Sequence, residues 1–166
     1  MSDINEQISA ALEHGAEYLA MGEIAANTGL LVSQAPGNNI DYDIIVNNID
    51  MSKGCMIEVS HSRDQFEART RGTNYDFLLF VYAPSEIENG RVKLTSGKNI
   101  DDIRGIYVFP RDVVKNTLED PSATIFKPRD IKVDGVVDDK KYREYKAAYH
   151  LILELVPNSP PGFIQD

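Results

Sequence analysis

The chain has 166 residues, 42% of them hydrophobic, which suits one globular domain with a sizeable core; its formal net charge is -9. That balance argues against a generic affinity for nucleic acid, which calls for a basic stripe, and no apolar run approaches the ~20 residues of a membrane span. A single cysteine, Cys55, excludes an internal disulfide framework and agrees with a reducing compartment, and the opening MSDINEQ has neither the basic nor the apolar segment of a signal peptide, so a cytoplasmic location is expected.

The chain is expected to open with a helix. Asp3 followed by Glu6 has the form of a capping box, Ile4, Ile8, Leu12 and Leu19 keep to one face at helical spacing, and Asn27 with Gly29 marks the end. Gly15 and Gly22 weaken this helix and mark places for a bend. Residues 30–33 read as a short strand and 35–39 as a loop. Residues 42–47, rich in Ile and Val, and 55–62, where Met56, Glu58, Ser60 and Ser62 share one face, also read as strands. The polar residues and Gly54 between them suit a tight reversal, so the two strands are predicted to pair as an antiparallel hairpin that brings Asp43 close to Glu58. Two facing carboxylates repel and lose hydration, a cost that a cation, a donor or a proton can offset; a divalent metal is one reading, side chains turned into water the other. His61, on the opposite strand face from Glu58, reads as a half-buried structural histidine, or as a general base if the strand is twisted or bulged, and His14, His61 and His150 show no metal-ligand spacing. The next segment carries Arg63, Arg69 and Arg71, which read either as phosphate contacts at the edge of a site or as a solvated loop partly neutralised by Asp64 and Glu67.

Residues 75–83 form the most apolar strand, expected to be buried on both faces and stopped by Pro84. Strands are also expected over 91–95 and 105–109, and the RDVVKNTL that follows Pro110 reads as a short helix with Val113, Val114 and Leu118 inward. Residues 119–139 show little periodicity; 127–130 read as a solvated loop and 130–133 as a candidate edge strand. A last helix is expected over 139–155, setting Tyr142, Tyr145 or Lys146, Tyr149, Ile152 and Leu153 against the sheet as core rather than as a base-stacking platform. Together these elements predict an α/β fold, a mixed sheet flanked by helices in two or three layers, as a single domain over 1–156 with a mobile tail over 157–166.

The stretch DYDIIVNNIDMSKGCMIEVSHS (41–62) resembles the PD-(D/E)XK nuclease superfamily, in which an Asp on one strand and a Glu or Gln two residues before a Lys on the next hold magnesium and activate water. Asp43 in YDIIV matches the first carboxylate and Glu58 in IEVS the second. Glu17, in GAEYLAMGEIAANTGLLVS, matches a helical acidic residue, and YDFLLFVY and IYVFPRDVV are similar to the family's later strands and the helix after them. The resemblance implies a restriction-endonuclease-like fold, Mg2+ (with Mn2+ as substitute) on Asp43 and Glu58, assistance from Glu17, and DNA as substrate. One position departs from the pattern. Ser60 stands where the family carries its lysine, and a hydroxyl can orient water but brings no positive charge to a transition state. Lys53, in the hairpin turn, is the nearest lysine in sequence and the candidate to supply that charge. Four functions fit these observations: a metal-dependent nuclease, a silent member of the fold kept as a nucleic-acid-binding or protein-binding subunit, an acidic protein that mimics DNA, or a homodimer whose paired sites act together.

Overall fold

The computed structural model describes residues 4–37, 41–71, 74–88, 91–97, 102–118, 120 and 122–158. Its centre is a five-stranded sheet of β1 (Leu31–Gln34), β2 (Ile44–Asn47), β3 (Gly54–Ser62), β5 (Phe77–Tyr82) and β8 (Gly105–Pro110), ordered β1-β2-β3-β5-β8. Neighbours run antiparallel except β3 and β5, which are parallel, so the sheet is mixed. Short two-stranded ribbons lie outside it: β4 (Ala68–Arg69) with β9 (Ile125–Phe126), β6 (Ser85–Glu88) with β7 (Arg91–Leu94), and β10 (Lys132–Val133) with β11 (Val136–Val137). The expected edge strand near 130–133 is thus a local hairpin, turned by Asp134 and Gly135 at φ 51° and 81°.

Strand alternation sorts the core onto two faces, and helices cover both. Helix α1 (Ile4–Thr28) and helix α3 (His150–Leu155) lie on one, where Ala20, Ile24 and Ile152 pack with Ile44, Ile57 and Leu79. Helix α2 (Arg111–Thr117) closes the other through Val114, beside an aromatic cluster of Phe80, Tyr107, Phe109, Phe126 and Tyr142 with neighbouring ring centroids 4.9 to 6.2 Å apart. The arrangement is three-layered, and all six residues of β5, in its middle, are buried as their unbroken apolar run predicts.

Two helices differ from their patterns. Helix α1 runs unbroken through Gly15 and Gly22, and its buried row is Ala16, Ala20, Ile24 and Thr28, while Ile4 and Leu19 are 60% and 49% exposed. Small alanines at four-residue intervals let the helix axis come close to the sheet, which the larger side chains of the predicted stripe would prevent. Gly29, at φ 69°, ends the helix in the left-handed conformation, its N–H donating to the Ala25 carbonyl at 2.9 Å. The Asp3 cap lies outside the described residues.

The single helix expected over 139–155 is instead a 3-10 turn (Lys141–Tyr145) and α3, separated by Ala147 at φ 51°. Tyr142 belongs to one face's core and Tyr149 to the other's, while Lys146 bridges Tyr107 on β8. The chain therefore rounds the β8 edge of the sheet between the two tyrosines, a path closed to a straight helix. Of the expected tail, Asn158 donates from Nδ2 to the Thr28 carbonyl at 2.6 Å, and residues 159–166 lie outside the described residues.

Candidate active site

Strand β3 has nine residues and β2 only four, so with Ile44 opposite Ile57 the pairing covers Gly54 to Ile57 and leaves the rest of that edge of β3 open. A cavity of about 660 Å3 occupies the opening, walled by Ser9, Glu13 and Glu17 of α1 on one side and by the 63–71 segment on the other. Asp43, immediately before β2, donates its N–H to the carbonyl of Ile57, the neighbour of Glu58, at 2.9 Å, and both carboxylates line the cavity. Asp43 Oδ2 accepts the Val59 N–H at 2.7 Å, replacing a backbone carbonyl where the ladder stops. Burial holds this carboxyl above its ordinary range, against the Val59 bond and the charge of Arg71, which both pull it down.

Glu58 is 4% exposed and accepts the Arg71 N–H, while Ser60, also buried, accepts the Arg69 N–H at 2.9 Å. Alternate side chains of β3 thus hold alternate amides of the returning segment, whose β4 residues pair with β9 instead of β3. Burial and then the Glu58 charge push the nearby Tyr75 hydroxyl up to about 12.

The arginines reach toward α1 across the cavity. Arg63 donates from Nη2 to Ser9 Oγ at 3.4 Å, and Arg71 Nη2 lies 4.0 Å from Glu13 Oε2. Arg69 lines the cavity with its side chain exposed. Glu17, at the rim, accepts from Gln34 Nε2 at 3.3 Å, with His14 Nδ1 at 3.7 Å. His61 is half-buried on the α1 side, held below its ordinary range by burial and then by Arg63, against Glu13 and Asp64.

Asp43, Glu58, Ser60, Glu17 and the three arginines therefore meet in one cavity, and Lys53 does not. It stands exposed in the hairpin turn, its N–H bonded to Asn48 Oδ1 at 3.0 Å. Five residues at ~3.3 Å each put it roughly 16 Å along the strand from Glu58. The turn itself is shaped by buried Asn48 and by Met51 at φ 57°, whereas Gly54 is required for close approach, because a Cβ there would meet Asn47 Oδ1 and, at 2.9 Å, the Val46 carbonyl oxygen. The amides of Arg69 and Arg71 had no signal in the sequence, since every residue but proline offers the same donor.

Among the described residues no three His, Cys, Asp or Glu side chains are grouped as a metal cage. Magnesium does not need one: it takes one or two carboxylates from a protein and completes its shell with water and phosphate oxygens. Asp43 and Glu58, lining the same open cavity, fit that donor set.

Comparison with protein-family models and with curated proteins finds no match. Among solved structures, the chain is similar to a bacterial homing endonuclease, I-Ssp6803I, with a TM-score of 0.54 and 16% sequence identity over 88% of this chain and 92% of that one. Likeness at that identity speaks for the fold: a five-stranded mixed sheet flanked by helices, of a kind that a nuclease also uses.

Proposed function

We propose that the chain is a divalent-metal-dependent phosphodiester hydrolase acting on DNA, of the PD-(D/E)XK type that its sequence resembles. The observation that supports this reading is that Asp43 and Glu58 line one cavity at the uncovered edge of β3, walled on one side by arginines. Asp43 and Glu58 would hold the ion, which when bound supplies a Lewis acid and a more acidic water. The chain's own contribution is preorganisation. The Val59 N–H fixes the Asp43 carboxylate and the Arg71 N–H fixes that of Glu58, so neither has to find its orientation during reaction. Glu17 at the rim is within reach of a water in the same cavity, and Arg63 and Arg69 offer forks for phosphate oxygens.

Cleavage of plasmid, linear duplex and single-stranded DNA by the purified protein tests the reading. The expected result is cutting with Mg2+ or Mn2+ that chelator stops and that Glu58→Gln, which keeps an acceptor for the Arg71 N–H, lowers by at least about 100-fold. Cutting that survives both treatments would sink it. A second reading, a silent binding subunit on the same fold, is favoured by the buried engagement of Ser60 with the Arg69 N–H; it predicts DNA binding without turnover in either metal.

A further inference from the structure

We propose that Arg71 supplies, at the carboxylate pair, the positive charge that position 60 lacks, and that Ser60 is the residue that positions it. The inference rests on the hydrolase reading above and adds to it the source of the missing charge.

Three observations carry it. The 63–71 segment is anchored to β3 at two points two residues apart, Ser60 Oγ to the Arg69 N–H and Glu58 to the Arg71 N–H. The Arg71 side chain therefore starts from a backbone atom bonded to one of the two carboxylates, and no rearrangement of the segment is needed to bring its charge to the site. Among the described residues, the cavity that holds Asp43 and Glu58 is lined by Arg63, Arg69 and Arg71 and by no lysine, and of these arginines Arg63 is directed to Ser9. Finally, Arg71 is 80% exposed and loosely paired, its Nη2 4.0 Å from Glu13, so the guanidinium can turn from Glu13 to a phosphate at little cost.

Charge that develops on phosphate oxygens needs a positive group aimed at them, and a guanidinium does this with two parallel donors. It stays protonated throughout, so Arg71 acts as an electrostatic clamp and takes no part in proton transfer. Ser60 does not touch the reacting atoms. A serine here is the counterpart of the displaced charge: its hydroxyl holds the strand that carries Arg71, and a lysine at the same place would lose that bond.

Mn2+ binding and DNA cleavage, measured on the same variants of the full chain, test the proposal. Removing a positive charge beside a cation site strengthens cation binding, so Arg71→Ala is expected to tighten Mn2+ by roughly three- to ten-fold. With Mg2+ it should lower kcat by about 100-fold with little change in KM, and Arg71→Lys should recover part of the loss. Ser60→Ala should move both readouts the same way by a smaller factor, Ser60→Thr should restore them, and Ser60→Lys should gain nothing. Lys53→Ala should change neither. Equal melting temperatures for wild type and Arg71→Ala are expected from so exposed a side chain.

Unchanged Mn2+ affinity and unchanged kcat in Arg71→Ala, with cleavage intact in the wild type, would overturn the inference and leave the hydrolase reading standing. A change confined to KM would also overturn it, making Arg71 a plain phosphate contact. A wild type that neither binds Mn2+ nor cuts DNA would remove the site itself, and the inference with it.

Discussion

Glu58, Ser60 and His61 of β3 divide between the strand's two faces, and their side chains divide the work of the site. Glu58 and Ser60 turn to the face that the 63–71 segment covers and each holds one of its amides; His61, between strand and helix, turns to α1 and faces Arg63, Glu13 and Asp64. Burial keeps His61 neutral in the folded chain at pH values where the unfolded chain takes up a proton. The sign follows from linkage: its ordinary value is 6.5 and the folded one lies lower, so the contribution of His61 to stability is whole above 6.5 and is lost as pH falls through the folded value. His61→Gln should therefore lose less stability than wild type between neutral and mildly acidic pH, as read by urea denaturation at both; an identical loss would show that the imidazole takes up its proton freely in the folded state. The β2–β3 hairpin that brings Asp43 and Glu58 to one cavity was legible in the sequence, because two β-rich runs joined by a short polar turn leave little choice of register. The partner of Glu58 was not, because it is a main-chain amide, and the acceptor of that amide depends on how a separate segment returns.

At the level of elements, regular strands were legible and the path of the last segment was not. The apolar run of β5 and the short helix after Pro110 follow directly from hydrophobic pattern. Tyr142 and Tyr149 also have apolar roles as expected, but they serve opposite faces of the sheet, and helical periodicity is blind to a chain that must pass an edge. The break falls at Ala147, where a left-handed φ of 51° sets a Cβ against its own carbonyl. Its N–H still bonds the Ile106 carbonyl at 2.9 Å, so the conformation is held by β8. Glycine adopts that φ without the steric cost but gives up more chain entropy on folding. Ala147→Gly is thus expected to stabilise by about 0.5 to 1 kcal/mol, measured as a shift of the denaturation midpoint at constant slope. A destabilised variant would mean that the break at Ala147 carries no relievable strain.

Across the whole molecule, charge is unevenly distributed, and this reconciles a net charge of -9 with a site for a polyanion. The first 52 residues contain eight Asp and Glu and no Lys or Arg, so the α1 wall of the cavity is acidic, while Arg63, Arg69 and Arg71 make the opposite wall basic. A nucleic acid would meet favourable charge along that second wall alone. Each phosphate neutralised by a cation releases condensed counterions, and the dependence of affinity on salt counts such contacts. Arg63 and Arg69 predict a slope of log K against log salt of about -2 on duplex DNA, shallow for a DNA-binding protein, and Arg63→Ala or Arg69→Ala should each reduce its magnitude by about 1. Binding titrations over a range of salt, with Ca2+ in place of Mg2+ to hold cleavage back, measure it. A slope near zero, or no binding at any salt, would show that the acidic wall governs encounter, and would favour a chain that competes with DNA for a basic partner over one that cuts it.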